Sequence, residues 1–183
     1  MDESMGSRLR RLRGERGVSL SELSRRSGIG KGTISELEND RRGARLDTLF
    51  ALTTALGAPL GVLLPDGAAG ETEPIAGASV CAVLLDRWTI SSGLVEVYRA
   101  TLSPERQDSL AHAARVEETV TVVRGRVRVG PVGSERELRE GQSLRYSGAI
   151  PHMFQARGRS AEVILLMHYP QHLAEKGSIR HDR

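Results

Sequence analysis

The sequence predicts an α + β protein of two domains, a five-helix bundle followed by an antiparallel β sandwich or barrel. Three observations lead there. Through residues 8–64 apolar side chains recur every three or four positions, and beyond residue 79 the period shortens to the two-residue alternation of strands. Between the two blocks, residues 65–78 are rich in Gly, Ala and Pro, a linker composition that spans on the order of 20 Å as a flexible coil. The length of 183 residues accommodates two small cores, which must be aliphatic because only 3% of residues are aromatic. The expected divisions are 1–64, 65–78, 79–170 and a polar, disordered tail at 171–183.

In the first block, Leu9 and Leu12 lie three apart on a basic helix that Gly17 ends. Ser19 and Glu22 have capping-box spacing at the start of a second helix, whose buried face is Leu20 and Leu23. Gly28-Ile29-Gly30 breaks it. A third helix runs through Thr33–Asn39 with Ile34 and Leu37 inward, and Leu46, Leu49, Leu52 and Leu56 define a fourth. Gly57 stops that one, and Pro59 opens a short fifth through Leu63 and Leu64.

In the second block, Val95 and Val97, Val120 and Val122, and Val127 and Val129 alternate with polar or exposed neighbours. Gly93, Ser103-Pro104, Gly125, Gly130-Pro131, Gly141, Gly148 and Gly158 punctuate these short runs.

Composition excludes several classes. The longest apolar stretches, Val80–Leu85 and Val163–Met167, are too short to cross a bilayer. No apolar segment follows the arginines at 8–16, so no secretory signal is expected and the cytoplasm is the default. The single cysteine, Cys81, cannot form an internal disulfide and reads as a small core residue. Net charge is only +3, yet residues 8–45 hold eleven Lys/Arg against five Asp/Glu. The positive field sits in the first quarter of the chain, as a phosphate-facing module requires, although a solvated helix surface has the same charge. Gly28-Ile29-Gly30-Lys31-Gly32-Thr33 is no nucleotide loop, since it lacks the four-residue spacer and no strand precedes it.

The run Ser19–Asn39, continued by Leu46-Asp47-Thr48-Leu49 and Ala55-Leu56-Gly57, resembles the xenobiotic-response-element-type helix-turn-helix, with a λ-repressor-like bundle. The resemblance implies a partner, double-stranded DNA, and a recognition helix that begins near Lys31. Lys31, Thr33 and Glu36 then face base edges, with Lys suited to guanine, Thr to a thymine methyl or a phosphate, and Glu to the cytosine amine. Ser21, Asn39, Arg41, Arg42 and Arg45 are placed for phosphates. Gly32 stands where a larger polar residue is usual, which removes one base contact. Arg13 and Glu38 match positions that pair in this family.

Residues 94–168 resemble the cupin family, an antiparallel β jelly-roll barrel. His112, Glu118 and Gly125 fit the first cupin motif, with Ala114 in place of its second histidine; Gly141 and Pro151-His152 represent the second motif. The resemblance implies a metal set of His112, Glu118 and His152, two imidazoles and a carboxylate suited to a divalent transition metal. On a strand, His112 and Ala114 would share a face, so Ala114 would leave a gap beside the metal. Two other readings stand beside this one: a metal-free pocket in which the same groups hydrogen-bond a polar effector, and histidines that are simply satisfied core groups. Tyr98 and Tyr146 are further ligand-binding candidates, and Arg99, Gln155 and Met167 are placed to line the same cavity.

A helix-turn-helix joined to one cupin resembles a class of bacterial transcription regulators in which the cupin senses a small-molecule effector and supplies a homodimer contact. Under that reading no catalytic residue is expected, and the effector shifts the two DNA heads through residues 65–78. The alternative is a mononuclear metal-dependent cupin enzyme carrying a helix-turn-helix, like the fosfomycin-forming epoxidase family. Its first metal ligand corresponds to the position of Ala114, which speaks against it.

Overall fold

A computed structural model of the chain describes residues 3–64 and 74–170. The helical half contains α1 (Met5–Glu15), α2 (Leu20–Ser27), α3 (Lys31–Glu38) and α4 (Leu46–Leu56), followed by one 3₁₀ turn at Leu60–Leu63. Five helices are expected from the sequence and four α-helices form. Pro59 and Leu64 cap a segment of four residues, too short for an α-helical hydrogen-bond ladder, so the fifth is the 3₁₀ turn. The third helix starts two residues earlier than its apolar period suggests, at Lys31.

Local chemistry fixes these ends. The Ser19 hydroxyl accepts the Glu22 amide at the start of α2, and the left-handed Gly28 (φ 72°) closes it. Leu9, Leu23, Ile34, Leu52, Leu60 and Leu63 are fully buried, each stabilising the bundle by about 1.5–3 kcal/mol. Arg13 spans the bundle to Glu38 with bonds of 2.6 and 2.9 Å and also donates to the Val18 carbonyl, so the expected pair is present. Contact with Glu38 raises the Arg13 guanidinium above its ordinary value.

The β-rich half comprises β1 (Ile75–Ala76), β2 (Val80–Ile90), β3 (Gly93–Leu102), β4 (Gln107–Ser109), β5 (Glu117–Arg124), β6 (Arg126–Pro131), β7 (Arg136–Arg139), β8 (Ser143–Ser147), β9 (His152–Ala156) and β10 (Ala161–Pro170). They form two antiparallel sheets, ordered β1-β2-β3-β10-β5-β8 and β4-β9-β6-β7. No ladder joins the two sheets among the described residues, so the expected barrel is an open two-sheet sandwich. Val120, Val122, Val163 and Met167 of the larger sheet pack with Val127 and Val129 of the smaller in a single apolar cluster. Cys81 is half-buried, short of a core position.

Two sequence expectations change here. Residues 74–78 are not all linker, because Ile75 and Ala76 pair with Ala82 and Cys81; residues 65–73 and the expected tail at 171–183 lie outside the described residues. On β3 the inward face is Glu96, Tyr98, Ala100 and Leu102, with Val97 on the other side. The polar residue at 96 is buried because it faces the 3₁₀ turn of the helical half.

The halves touch directly. Arg87 donates to the Gly61 carbonyl at 2.7 Å, and the Gly61 amide donates to Glu96 at 2.9 Å. The helix α4 lies against β2. Among the described residues, no helix is long and apolar enough to cross a membrane.

Candidate functional site

Two groups of residues carry chemistry. The first is the surface of α2, the turn and α3. Burial of Ile34, Leu37 and Glu38 pins one side of α3, leaving Lys31 and Glu36 exposed and Thr33 half-buried. Ser21 is exposed in the first turn of α2, and Arg41, Arg42 and Arg45 are exposed just beyond α3. Asn39 sits at the end of α3, where its amide donates to the Ser35 carbonyl at 2.7 Å.

Not all of this charge is free. Arg42 stands 3.6 Å from Glu36, and Arg45 3.7 Å from Asp47. Glu22 is held by Arg25 and Arg26, which bring its carboxyl down to about 2. The acidic groups here are therefore neutralised locally, while Lys31 and Arg41 face outward.

The second group bridges the two sheets. Glu118 lies on β5 beside Tyr146 of β8, its register partner, and His152 opens β9 in the opposite sheet. His112 is on the loop between β4 and β5, held by its own amide donating to the Gly148 carbonyl at 2.8 Å. It is not on a strand, so the expected shared face with Ala114 does not arise. Ala114 is exposed and leaves no gap in the interior.

The Nε2 atoms of His112 and His152 approach Glu118 Oε1 at 2.8 and 3.2 Å, and the ligand atoms of all three residues fall within 4.8 Å of one another. The Tyr146 hydroxyl donates to the other oxygen, Oε2, at 2.7 Å. His152 Nδ1 lies 2.8 Å from the Ile150 carbonyl, which can only accept, so that nitrogen carries hydrogen. A neutral His152 then turns a bare Nε2 lone pair toward Glu118. Both Glu118 Oε1 and His152 Nε2 are buried without an aligned hydrogen-bond partner. Two lone pairs facing each other in a buried site require a cation between them, either a proton or a metal.

The space is kept open as well, since a side chain at Gly148 would come within 2.9 Å of Glu118 Oε1. Burial pushes the Glu118 carboxyl up, but the two imidazoles outweigh burial and hold it well below the usual carboxylate range. Burial lowers His152, and contact with Glu118 more than offsets this, raising it above its ordinary value. The donor set fits a divalent transition metal held by His112, Glu118 and His152, with Tyr146 orienting the carboxylate.

Of the other candidates, Met167 lies beside this centre as the register partner of Glu118, and the rest lie elsewhere. The Tyr98 hydroxyl donates to a different carboxylate, Glu96, at 2.7 Å. Arg99 is exposed beside Glu162, and Gln155 donates to the Pro104 carbonyl. Met167 is fully buried. Phe50, which no sequence signal singles out, stacks its ring 5.1 Å from that of His112, joining α4 to the cluster. Its place at half-buried α4 spacing reads in the sequence as ordinary core.

Comparison with known proteins gives four results. The family described as helix-turn-helix matches residues 9–63. The chain is 24% identical over 174 residues to the HTH-type transcriptional regulator SutR of Escherichia coli strain K12, covering 91% of this chain and 96% of that one. It is 40% identical over 57 residues to the uncharacterized HTH-type transcriptional regulator y4dJ of Sinorhizobium fredii, covering 31% of this chain and 74% of that one. Among solved structures, an HTH_3-family transcriptional regulator from Vibrio cholerae superposes with a TM-score of 0.79 at 23% identity, over 91% of this chain and 96% of its own. That likeness shows that both halves share their fold with a single known chain.

Proposed function

The chain belongs to the helix-turn-helix family of transcriptional regulators, and on that premise we propose that it reads DNA through α3 while its β-rich half, a cupin, senses a small-molecule effector. The observation that carries the DNA reading is the exposed Lys31 at the start of α3, flanked by Arg41, Arg42 and Arg45, where the neighbouring acids Glu36 and Asp47 each lie beside an arginine. Lys31, Thr33 and Glu36 are assigned to base edges. Ser21, Asn39 and the three arginines are assigned to phosphates.

A single head of this size covers few base pairs, so two copies on one face of the duplex are needed for specificity. Trp88 and Ile90, both exposed on β2, offer apolar surface for a homodimer. In the β-rich half, His112, Glu118 and His152 form the centre of the sensing site and would hold a divalent metal. Bound there, the metal would supply a Lewis-acidic point for an oxygen- or nitrogen-bearing effector, while Tyr146 keeps Glu118 in place. Tyr98 lies apart from this centre and has no assigned ligand.

A gel-shift titration of the full chain against genomic fragments tests this reading. A few fragments retained against excess nonspecific competitor support it, and uniform binding to all fragments contradicts it. The three-residue centre also suits the alternative, a metal-dependent cupin enzyme. Stoichiometric iron together with oxygen consumption by the purified protein would favour that alternative.

A further inference from the structure

We propose that the cleft between the two halves is a binding site for a compact, largely apolar small molecule, whose occupant presses on the turn ahead of α3. The proposal rests on the regulator reading and extends the sensing site from the His112–Glu118–His152 centre into the cleft that His112 also borders. The cleft has a volume of about 400 Å³, near the lower end of the range for small-molecule sites. From the helical half it is lined by Ser27 at the end of α2, Ile29 of the α2–α3 turn, and Phe50, Ala51 and Ala55 of α4. Across from them stand Val80 of β2, Phe154 of β9 and the loop carrying Leu110 and His112.

The lining decides the ligand chemistry. Three charged residues border the cleft, and each already has a partner: Arg26 on Glu22 at 2.6 Å, Asp47 near Arg45 at 3.7 Å, and Asp108 on Arg106 at 2.7 Å. No unpaired carboxylate or guanidinium there calls for a multiply charged ligand. The rest of the wall is mostly Ile, Leu, Phe, Val and Ala, with Ser27, Thr48, Thr54, Gln107, Ser109 and His112 as hydrogen-bonding groups. Leu110 is 72% exposed at the border, a large apolar side chain left in water beside an apolar cleft. A flat apolar body with one hydrogen-bonding group fits this surface.

The position of the cleft decides the consequence. Ile29 lies two residues before Lys31, across Gly30, which caps α3 without a side-chain bond. A molecule against Ile29 therefore bears on the least braced end of the DNA-reading helix. The same molecule meets Phe50, whose ring stacks on His112, so the cleft adjoins the metal-ligand cluster through one aromatic pair. A ligand shifts DNA affinity only if it binds the two arrangements of the halves unequally, and a site built from both halves meets that condition.

The test uses the full chain and 8-anilinonaphthalene-1-sulfonate, an apolar fluorescent probe carrying a single charge. Saturable enhancement at one site per chain is expected, with hydrogen-exchange protection at the amides of the α2–α3 turn and the first turn of α3. Ala51→Trp, which fills the cleft from α4, weakens the probe by about tenfold. Leu110→Ser, at an exposed position with no packing role, weakens it by about threefold and carries the test if Ala51→Trp fails to fold. Unsaturable emission, unchanged affinity in Leu110→Ser, or protection confined to other segments would overturn the site. Specific DNA binding alongside those results would leave the regulator reading intact. Expected probe behaviour without specific DNA binding would instead remove that reading and keep the cleft.

Discussion

The backbone amide of Gly61 donates to the Oε1 of Glu96 at 2.9 Å, joining the last turn of the helical half to the middle of the six-stranded sheet. The peptide of Gly61 is gripped from both ends, because its carbonyl accepts from Arg87. A Cβ at position 61 would collide with the Glu96 carboxylate. Gly61→Ala should therefore destabilise the protein by about 1–3 kcal/mol in chemical denaturation. Gly43→Ala, with open space around it, should cost under about 1 kcal/mol. Equal effects at the two positions would mean that the contact is not tight.

Glu96 should also give stability a distinctive pH dependence. Burial raises its carboxyl above the ordinary value, outweighing the hydrogen bonds from Tyr98 and the Gly61 amide and the attraction of Arg87; Tyr169 faces it too. A carboxyl raised in the folded state contributes stability fully below its unfolded pKa of about 4.3, and that contribution is lost as pH rises through the folded value. Glu96→Gln should thus gain stability relative to the wild type as pH increases from about 4 toward neutrality. A difference between the two that is flat with pH in urea titrations would rule this out.

Much of the helical half was legible because its signals are local. Ser19, Gly28 and Gly57 mark helix ends within one turn of the residues they cap, and leucine spacing defines the inner faces. The motif residues His112, Glu118 and His152 were legible for the same reason. What escaped depends on distant partners. Glu96 reads as an outward polar residue until Gly61, 35 residues earlier, lies against it. Phe50 reads as core until the β4–β5 loop brings His112 to its ring. The cleft is built from five separated segments and has no sequence signature. The strand argument at Ala114 failed because a loop does not alternate its faces.

Metal binding should follow the donor geometry. The wild type is expected to take up one divalent transition metal per chain by isothermal titration with Co(II) or Ni(II), and Glu118→Gln and His152→Ala to take up none. Tyr146→Phe frees Glu118 Oε2 from its hydroxyl and should lower affinity by about 10–100-fold. Identical uptake in all four proteins would place the metal elsewhere.

The Arg13–Glu38 pair braces α1 against the end of α3 with both side chains largely removed from water. Arg13→Ala leaves the carboxylate buried without its partner and should cost about 3 kcal/mol by thermal or chemical denaturation. Arg13→Met combined with Glu38→Leu should recover most of that loss. A double variant no better than the single one would mean that the geometry of the pair, and not its unpaired charge, is what matters.

The most direct measurement is a footprinting titration of the full chain on the genomic fragments it retains, wild type beside Lys31→Ala/Arg42→Ala. The predicted result is a discrete protected segment for the wild type, with binding that weakens steeply as salt increases, and no protection for the variant although it folds normally. Identical protection by both proteins would contradict the assignment of α3 and its arginine flank as the DNA-reading surface.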